Sequence, residues 1–340
     1  MVKEQVITDT YAIYNSDCMF VLPTLKEESV DLICYSPPFL GLFNYSSSDN
    51  DFSNCETREE GLQQYEFLVK ELARVIKPGR ICAVHCTDLM NKDGSQFDYP
   101  HAIEEIHKRH GFLRMNKITI WKEPLKVRMR TMVRSLMHKL IVEDSTECFT
   151  AMPDYVLIFK KKGDNEIPVT HPVGLTHYAG AHPLLAEMEK TYGSFEDLQK
   201  KFKDWKNPKT NKLSHIIWQR YASSVWDDIR IDNVLKYKES KEEDDEKHVH
   251  PLQLDVIDRI VELYSNPGEV VFTPFMGVGS EVYSPVSMGR FGIGIELKDS
   301  YFKQAVKNIG ELKNNPRIAN NEATLFDELE YKFIDETEQE

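Results

Sequence analysis

Residues 266–302, NPGEVVFTPFMGVGSEVYSPVSMGRFGIGIELKDSYF, contain two strand-like apolar runs joined by a glycine loop and a helix-like segment. The first run, 269–273, leads into the loop PFMGVG, and the second, 291–296, ends on Glu296. Glycines in a strand-to-helix loop let the backbone approach a ligand and direct helix N–H groups at it. A carboxylate that ends the next parallel strand suits a ribose diol. The stretch therefore predicts an α/β unit that binds a nucleoside.

The spacing of the loop glycines narrows the choice of cofactor. Gly277 and Gly279 match the first two positions of G-x-G-x-x-G, but Val282 stands at the third. This disfavours a dinucleotide, whose pyrophosphate is seated by the full pattern. The loop predicts a nucleoside cofactor without phosphates, and S-adenosylmethionine fits that description.

Another strand-like run, in DLICYSPPF (31–39), ends on the corner Ser36-Pro37-Pro38-Phe39. Proline fixes its own φ and cannot donate to a sheet, so the strand must stop there. The Ser36 hydroxyl and a proline-fixed carbonyl can accept hydrogen bonds from the exocyclic amine of a base and aim its lone pair at an electrophilic methyl. Phe39 offers a stacking surface for a base lifted out of a helix. The alternative is that Phe39 is ordinary packing after a turn.

Strand-like and helix-like patterns alternate at both ends of the chain, which predicts a mostly parallel sheet covered by helices. The intervening residues, 163–240, lose this rhythm and are predicted to be irregular. Trp205, Trp218 and Trp226 in this part are interpreted as packing residues. The predicted strands cover 11–15, 30–35, 80–86, 112–120, 154–162, 269–273 and 291–296, and the predicted helices cover 58–76, 100–110, 252–264 and 299–313.

The net charge of −13 is concentrated in two segments. Residues 239–246 carry a net charge of −5 and residues 321–340 a net charge of −7, which leaves −1 for the other 312 residues. In contrast, residues 117–140 hold seven Lys or Arg against the single acid Glu123. This leaves room for a nucleic-acid surface, although a solvated helix face explains the charge equally well.

The six cysteines show no paired spacing and are predicted to be reduced thiols of a cytosolic protein. Cys82, His85 and Cys86 lie close in sequence, but alternation along a strand sends them to opposite faces, so no metal site is predicted. No apolar run approaches the roughly 20 residues that cross a bilayer, and the N-terminal residues lack a signal-peptide core. A cytoplasmic location is expected.

Two blocks together resemble the β-class S-adenosylmethionine-dependent DNA amino-methyltransferases, which act on cytosine N4 or adenine N6. The blocks are YAIYNSDCMFVLPTLKEESVDLICYSPPF near the N-terminus and the stretch from HPLQLDV to KDSYF near the C-terminus. The catalytic block precedes the cofactor loop in this class, as it does here. The sections TIWKEPLKVRMRTMVRSLMHKL and IIWQRYASSVWDDI are most similar to members encoded by bacteriophages.

The resemblance implies a Rossmann-like methyltransferase fold with a seven-stranded-type sheet. Its catalytic domain would comprise 1–162 and 248–315, interrupted by an irregular insertion, 163–240, that would serve target recognition. An acidic loop, 239–247, and an acidic tail, 316–340, complete the predicted organisation.

The resemblance also implies roles for individual residues. The catalytic residues would be Ser36, Pro37, Pro38 and Phe39; the cofactor-binding residues would be Asp17, Thr273, Phe275, Gly277, Gly279 and Glu296; the residues contacting DNA phosphates would be Arg128, Arg130, Arg134 and Lys139. Residues 250–253, HPLQ, would lie beside the cofactor, and no metal is implied. The chain departs from the family where Thr273 replaces a frequent Asp, where GSE (279–281) replaces Gly-Thr-Thr, and where HPLQLDV lacks a Lys-Pro.

These features predict an enzyme that flips a base from double-stranded DNA and methylates its exocyclic amine, in a bacterial or phage-infected cell, within restriction-modification. Ser36 at the head of the block resembles the enzymes that methylate cytosine N4, which is favoured, and adenine N6 is the alternative. A non-catalytic module that binds DNA or a partner stays open, as does an enzyme acting on RNA. Analogy within the class admits a homodimer.

Overall fold

A computed structural model describes residues 2–38, 55, 57–91, 93–131, 133–175, 177–182, 211–240 and 251–313, with backbone only at 130, 131 and 212. The strands are β1 Glu4–Ile7, β2 Tyr11–Asn15, β3 Val30–Tyr35, β4 Ile76–Cys86, β5 Leu89–Met90, β6 Gln96–Phe97, β7 Phe112–Ile120, β8 Asp154–Lys161, β9 Val225–Trp226, β10 Val270–Thr273 and β11 Phe291–Glu296. The α-helices are α1 Cys18–Val21, α2 Arg58–Val75, α3 Tyr99–Arg109, α4 Pro124–Thr131, α5 His138–Glu143, α6 Lys212–Tyr221, α7 Leu254–Tyr264, α8 Ser280–Ser287 and α9 Asp299–Gly310.

Nine of these strands form one sheet in the order β1-β2-β11-β10-β3-β4-β8-β7-β9, and β5 pairs with β6 separately. The run from β2 to β4 is parallel throughout, whereas β8 is antiparallel to both of its neighbours. The seven strands from β2 to β7 give the predicted seven-stranded arrangement, and the short edge strands β1 and β9 extend it. The predicted mostly parallel α/β sheet is confirmed.

The two C-terminal strands β10 and β11 lie between the N-terminal strands β2 and β3. Polar contacts at the amino ends of β3 and β10 join the two halves of the chain. The Asp31 carboxylate accepts hydrogen bonds from Lys77 Nζ at 2.7 Å and from the Val270 amide at 2.9 Å. Arg80 donates to the Asp31 carbonyl and forms an ion pair with Glu269. Residues far apart in sequence are thereby fixed in one layer.

Alternation along the strands separates two apolar cores. Ile33 and Phe272 point into the core that contains α2 and α3, and their neighbours Leu32 and Val271 point into the core that contains α7. The matched register of β3 and β10 explains why both sets remain aligned. Buried faces on both sides are typical of parallel strands, which must be covered by helices.

The central segment is more ordered than its sequence suggests. Within 163–240 the described residues include α6, and β9 adds a parallel strand beside β7. Leu213, Ile217 and Tyr221 of α6 form a small core of their own, and this apolar face is the reason that the helix forms. Trp226 is buried, but Trp218 is 54% exposed, so the interpretation of Trp218 as a packing residue is wrong. Trp205 lies outside the described residues.

Arg259 attaches this central segment to α7. Its guanidinium is fully buried, donates to Asp228 Oδ1 and to the Ala179 carbonyl at 2.8 Å each, and lies over the rings of Trp226 and Tyr221. A buried guanidinium needs such partners because an unpaired buried charge is strongly unfavourable. The segment is therefore held against the helix that precedes β10.

Among the described helices, none combines the length and apolar composition needed to cross a membrane.

Candidate active site

The predicted catalytic block and the glycine loop lie side by side. Ser36 follows β3 and the loop follows β10, and because these strands are adjacent and parallel their carboxyl ends share one edge of the sheet. The ring centroids of Tyr35 and Phe275 are 6.1 Å apart across this junction. Two segments from opposite ends of the chain therefore meet at one edge of the sheet, and their role as a common site stays a prediction.

The glycine loop has the backbone geometry of a ligand cradle. Gly277 and Gly279 have φ angles of +51° and +97°, a region that side chains disfavour. A side chain at Gly277 would meet no described atom within 4 Å, whereas one at Gly279 would press on Ala305 and Ile309 of α9. Gly277 thus faces open space, and Gly279 allows α8 to begin close to α9.

Glu296 closes the other side of the loop. Its carboxylate accepts hydrogen bonds from the amides of Gly277 at 2.9 Å and Lys298 at 2.8 Å. Asp17 lies nearby, because Glu296 pairs with Asn15 between β11 and β2. Asp17 accepts from the Met19 amide at 2.8 Å and caps α1. Both predicted carboxylates are held at the carboxyl edge by backbone donors.

Several buried polar atoms around the loop have no hydrogen-bond partner among the described residues. These are Asn15 Oδ1, Thr273 Oγ1 and Ser280 Oγ. Buried polar atoms are nearly always paired in folded proteins, so an unpaired group at a ligand loop fits a polar ligand. Together with the open space at Gly277 and the carboxylate of Glu296, these atoms fit the ribose and the charged amino acid of S-adenosylmethionine.

Ser36 heads a chain of polar side chains that the sequence did not reveal. Ser36 Oγ lies 3.0 Å from His85 Nδ1, and His85 Nε2 lies 3.3 Å from Asp154 Oδ2. Lys122 Nζ donates to Asp154 Oδ1 at 2.5 Å. His85 and Asp154 are both buried. The antiparallel pairing of β4 with β8, together with the end of β7, brings these residues to Ser36.

The charges of this polar chain assign its proton positions by elimination. Burial raises the pKa of the Asp154 carboxyl, but Lys122 and His85 lower it by more than burial raises it. The pKa is therefore below its ordinary value. An ionised carboxylate only accepts, and we therefore assign the ring proton of His85 to Nε2, which lies at ion-pair distance from Asp154 without forming a hydrogen bond among the described residues. His85 Nδ1 is then an acceptor, and the Ser36 hydroxyl donates to it.

The remaining residues of the catalytic block are only partly described. The carbonyl of Pro38 accepts a hydrogen bond from the Tyr99 hydroxyl at 3.0 Å. Beneath the corner, the hydroxyls of Tyr35 and Tyr65 are 2.6 Å apart. Phe39, the predicted stacking residue, lies outside the described residues. His250 of the predicted cofactor-adjacent segment also lies outside them, and 251–253 lead directly into α7.

The residues predicted to contact DNA lie on a separate stretch, from α4 to α5. The side chains of Arg134 and Lys139 are 74% and 70% exposed and pair with the exposed acids Glu147 and Glu143. Arg128 is partly buried, and the side chain of Arg130 lies outside the described residues. The same stretch exposes large apolar side chains: Trp121, Leu125 and Met129. This mixture of cations and apolar groups suits a nucleic acid, but the described contacts do not join the four predicted residues into one cluster.

Comparison with known proteins identifies the class. Residues 30–307 match the family of N6- and N4-specific enzymes described as DNA methylase. The chain belongs to this family of amino-methyltransferases, and it is an S-adenosylmethionine-dependent DNA methyltransferase. The predicted enzyme class and cofactor are confirmed.

Individual relatives give the extent of the similarity. The chain is 23% identical over 303 residues to the type II methyltransferase M.MthZI of Methanothermobacter thermautotrophicus, an alignment that covers 84% of this chain and 72% of the relative. It is 26% identical over 313 residues to the type II methyltransferase M.BamHI of Bacillus amyloliquefaciens, covering 90% of this chain and 59% of the relative.

Two solved structures share the fold. One is the Thermus thermophilus protein TTHA0409 in complex with S-adenosyl-L-methionine, with a TM-score of 0.56, 18% identity, and coverage of 89% of this chain and 95% of the other. The other is the cytosine-N4-specific PvuII DNA methyltransferase, with a TM-score of 0.56, 14% identity, and coverage of 92% and 95%. The similarity to bacteriophage members and the residue roles stay predictions.

Proposed function

We propose that the chain methylates the N4 amine of cytosine in double-stranded DNA, on a base flipped into the edge between β3 and β10. The observation that carries this proposal is the Ser36 hydroxyl, which is held 3.0 Å from His85 Nδ1 beside the glycine loop. Adenine N6 is the alternative target, since its amine could occupy the same position.

Ser36 is proposed to orient the amine. Because its own proton is directed to His85, its lone pairs are available to accept a hydrogen bond from an amine N–H. This acceptor favours a pyramidal nitrogen with its lone pair toward the methyl group. As the nitrogen–methyl bond forms, an amine proton passes to Ser36 Oγ while the hydroxyl proton passes to His85 Nδ1. Asp154 would then stabilise the imidazolium.

The cofactor would be held by the residues of the loop and its neighbours. Glu296 would take the ribose hydroxyls, Gly277 would allow backbone approach, and Thr273 would contact the methionine end. Asp17 lies at the edge where the adenine neighbourhood is proposed. S-adenosylmethionine, when bound, supplies a methyl group on a positively charged sulfur.

Serine at position 36 supports cytosine over adenine, because serine at the head of the block resembles the N4-methylating enzymes. A neutral hydroxyl is ordinarily a weaker acceptor than a carboxylate, and the contact with His85 offsets this weakness. The cytosine-N4-specific PvuII enzyme supports the proposal only through its shared fold.

The remaining parts of the proposal concern DNA. Arg128, Arg130, Arg134 and Lys139 would contact phosphates, which position the duplex without reading its sequence. The segment within 163–240 would read the target sequence, the catalytic domain would comprise 1–162 and 248–315, and the reaction would occur in the cytoplasm. A homodimer stays a proposal by analogy.

A nucleoside digest tests the function. The protein is incubated with S-adenosylmethionine and unmodified DNA of varied sequence, and the hydrolysed product is analysed by mass spectrometry. N4-methyldeoxycytidine supports the proposal, and N6-methyldeoxyadenosine instead assigns the alternative. Neither product, with cofactor binding shown separately, would refute DNA methylation and favour RNA or a binding module.

Two variants link the product to the site. Ser36→Ala should abolish most of the methyl transfer and leave cofactor binding intact, whereas Gly277→Trp should abolish both. Normal turnover by Ser36→Ala would exclude the acceptor role.

A further inference from the structure

Glu281 is an acid in an unusual place. It is the second residue of α8, directly after the glycine loop, and it belongs to the GSE sequence that departs from the family pattern. It is only 5% exposed. It forms no ion pair with any cation in the described part of the chain. A buried carboxylate without a positive partner is unfavourable and is retained only where something compensates for it.

The helix that carries Glu281 packs against β10 and β11, with the side chain of the next residue, Val282, against Gly292 and Gly294 of β11. Burial raises the pKa of Glu281, a hydrogen bond from its own backbone amide partly offsets this rise, and the charge of Glu296 adds to it, so that the pKa is about 8. Burial also raises the pKa of the Cys34 thiol, and the negative charge of Glu281 is the next largest cause of that rise. Cys34 lies two residues before Ser36. Glu281 is therefore within electrostatic reach of both the ribose-side carboxylate and the strand that ends at Ser36.

The described elements packed against α8 supply no cation to Glu281. On α7, Arg259 bonds to Asp228, and Asp255 accepts from Arg230. On α9, Lys303 and Lys307 are exposed, and the buried Asn308, which is uncharged, donates to the Val278 carbonyl. Next to the loop, Thr273 and Ser280 contribute only hydroxyls, which lack a partner among the described residues. Among the described residues none supplies this positive charge, which a bound cation would provide.

We infer that Glu281 recognises the sulfonium cation of S-adenosylmethionine and thereby discriminates this cofactor from its uncharged product, S-adenosylhomocysteine. The inference rests on the proposed site, in which the sulfur lies between the ribose at Glu296 and the amine at Ser36. A carboxylate there favours the cation by direct Coulomb attraction at low dielectric. The product loses that charge when the methyl group leaves, so its release is favoured.

Proton linkage gives this inference a signature that is independent of turnover. Since Glu281 with a pKa of about 8 is mostly protonated at pH 7, binding of a cation should ionise it and release nearly one proton. The affinity for S-adenosylmethionine should then rise about tenfold from pH 7 to pH 9, because one pKa unit corresponds to a factor of ten. The affinity for S-adenosylhomocysteine should change little over the same range.

Titration calorimetry of the full chain tests the inference. Both ligands are titrated at pH 7 in two buffers of different ionisation enthalpy, into the wild type, Glu281→Gln and Glu281→Thr. Each variant should lose about tenfold or more in affinity for S-adenosylmethionine, should keep its affinity for S-adenosylhomocysteine within about twofold, and should release no proton. Glu311→Gln, the same change at an exposed acid, serves as control and should behave as wild type.

Several outcomes would overturn the inference. These are unchanged binding by both variants, an equal loss of affinity for both ligands, or the absence of proton release in the wild type. Glu281→Thr places a small polar residue of the usual family type at this position, so it tests the role of the charge even where Gln does not fold. A wild type that binds S-adenosylmethionine with the expected linkage but yields no methylated DNA would refute the proposed function and leave the inference standing.

Discussion

Replacing His85 by alanine should slow methyl transfer without weakening cofactor binding. The imidazole lies 3.0 Å from Ser36 and, among the described residues, is the group placed to receive its proton, so the variant leaves the Ser36 hydroxyl unoriented. Proton transfer by a positioned side chain typically contributes about 10²–10⁴ in rate. Because His85 reaches the amine only through Ser36, we expect the lower part of that range, about 10²–10³, or roughly 3–4 kcal/mol of barrier.

The assay is a single-turnover measurement with saturating cofactor and DNA, read by transfer of a labelled methyl group. Calorimetry with S-adenosylmethionine and the urea midpoint of unfolding are measured on the same preparations. His110→Ala is the matched control, since His110 also contacts a carboxylate, Glu66, but lies at the end of α3. His85→Gln retains an acceptor for the Ser36 hydroxyl and cannot take up its proton.

The pair of His85 variants separates orientation from proton transfer. If His85 receives the proton, His85→Gln should be nearly as slow as His85→Ala. If His85 only orients Ser36, the glutamine variant should recover most of the rate. A rate for His85→Ala within about threefold of the wild type would refute both roles, since even a weak general base contributes more than that.

Three further predictions concern charge. Asp154→Asn should destabilise the protein at pH 7. Because the pKa of Asp154 is lowered in the folded state, the difference should begin to shrink as the pH falls below the ordinary carboxyl pKa of 3.8 and should vanish only below the lowered pKa; urea unfolding at pH 7 and pH 3 should therefore show a partial reduction. Arg259→Met should cost about 1.5–3 kcal/mol of unfolding free energy, because Asp228 loses one charged hydrogen-bond donor and keeps Arg220 and the Tyr178 hydroxyl, and a loss below about 0.5 kcal/mol in urea melts would contradict this. Arg134→Ala and Lys139→Ala should each reduce the slope of log binding constant against log salt by about one for any DNA sequence, and an unchanged slope would exclude phosphate contact.

The fold was predictable because each buried strand is a short apolar run. The strands at 11–15, 30–35 and 291–296 lie where the sequence places them. The strand predicted at 80–86 begins earlier, at Ile76, because this residue pairs with Val30 across a bulge. Residues typical of turns lie inside this strand, and they hide its first residues when only the local sequence pattern is considered.

The corner at Ser36 was predictable from its prolines, but the side chains that support it were not. His85 and Asp154 are brought together by the pairing of their strands. The spacing of residues in the sequence does not predict a contact between residues so far apart in the chain. A useful signal was present in the polar residues at the ends of two apolar strands, VHC and DYVL. The charge count over 117–140 includes Lys122 with the cations proposed to contact DNA, yet this side chain points inward to Asp154. A charge count along the sequence cannot distinguish a side chain that points to the surface from one that points into the protein.

The interleaving of the sheet has a consequence for synthesis on the ribosome. β2 and β3 are made first, but β11 and β10 must be inserted between them, and these are made last. At roughly 5–20 residues per second, about 10–50 s separate the emergence of Tyr35 from that of Glu296. Throughout this interval the edges of β2 and β3 lack their final neighbours, and unpaired edges invite aggregation. The nascent chain should therefore depend on chaperones more than a protein whose adjacent strands are consecutive.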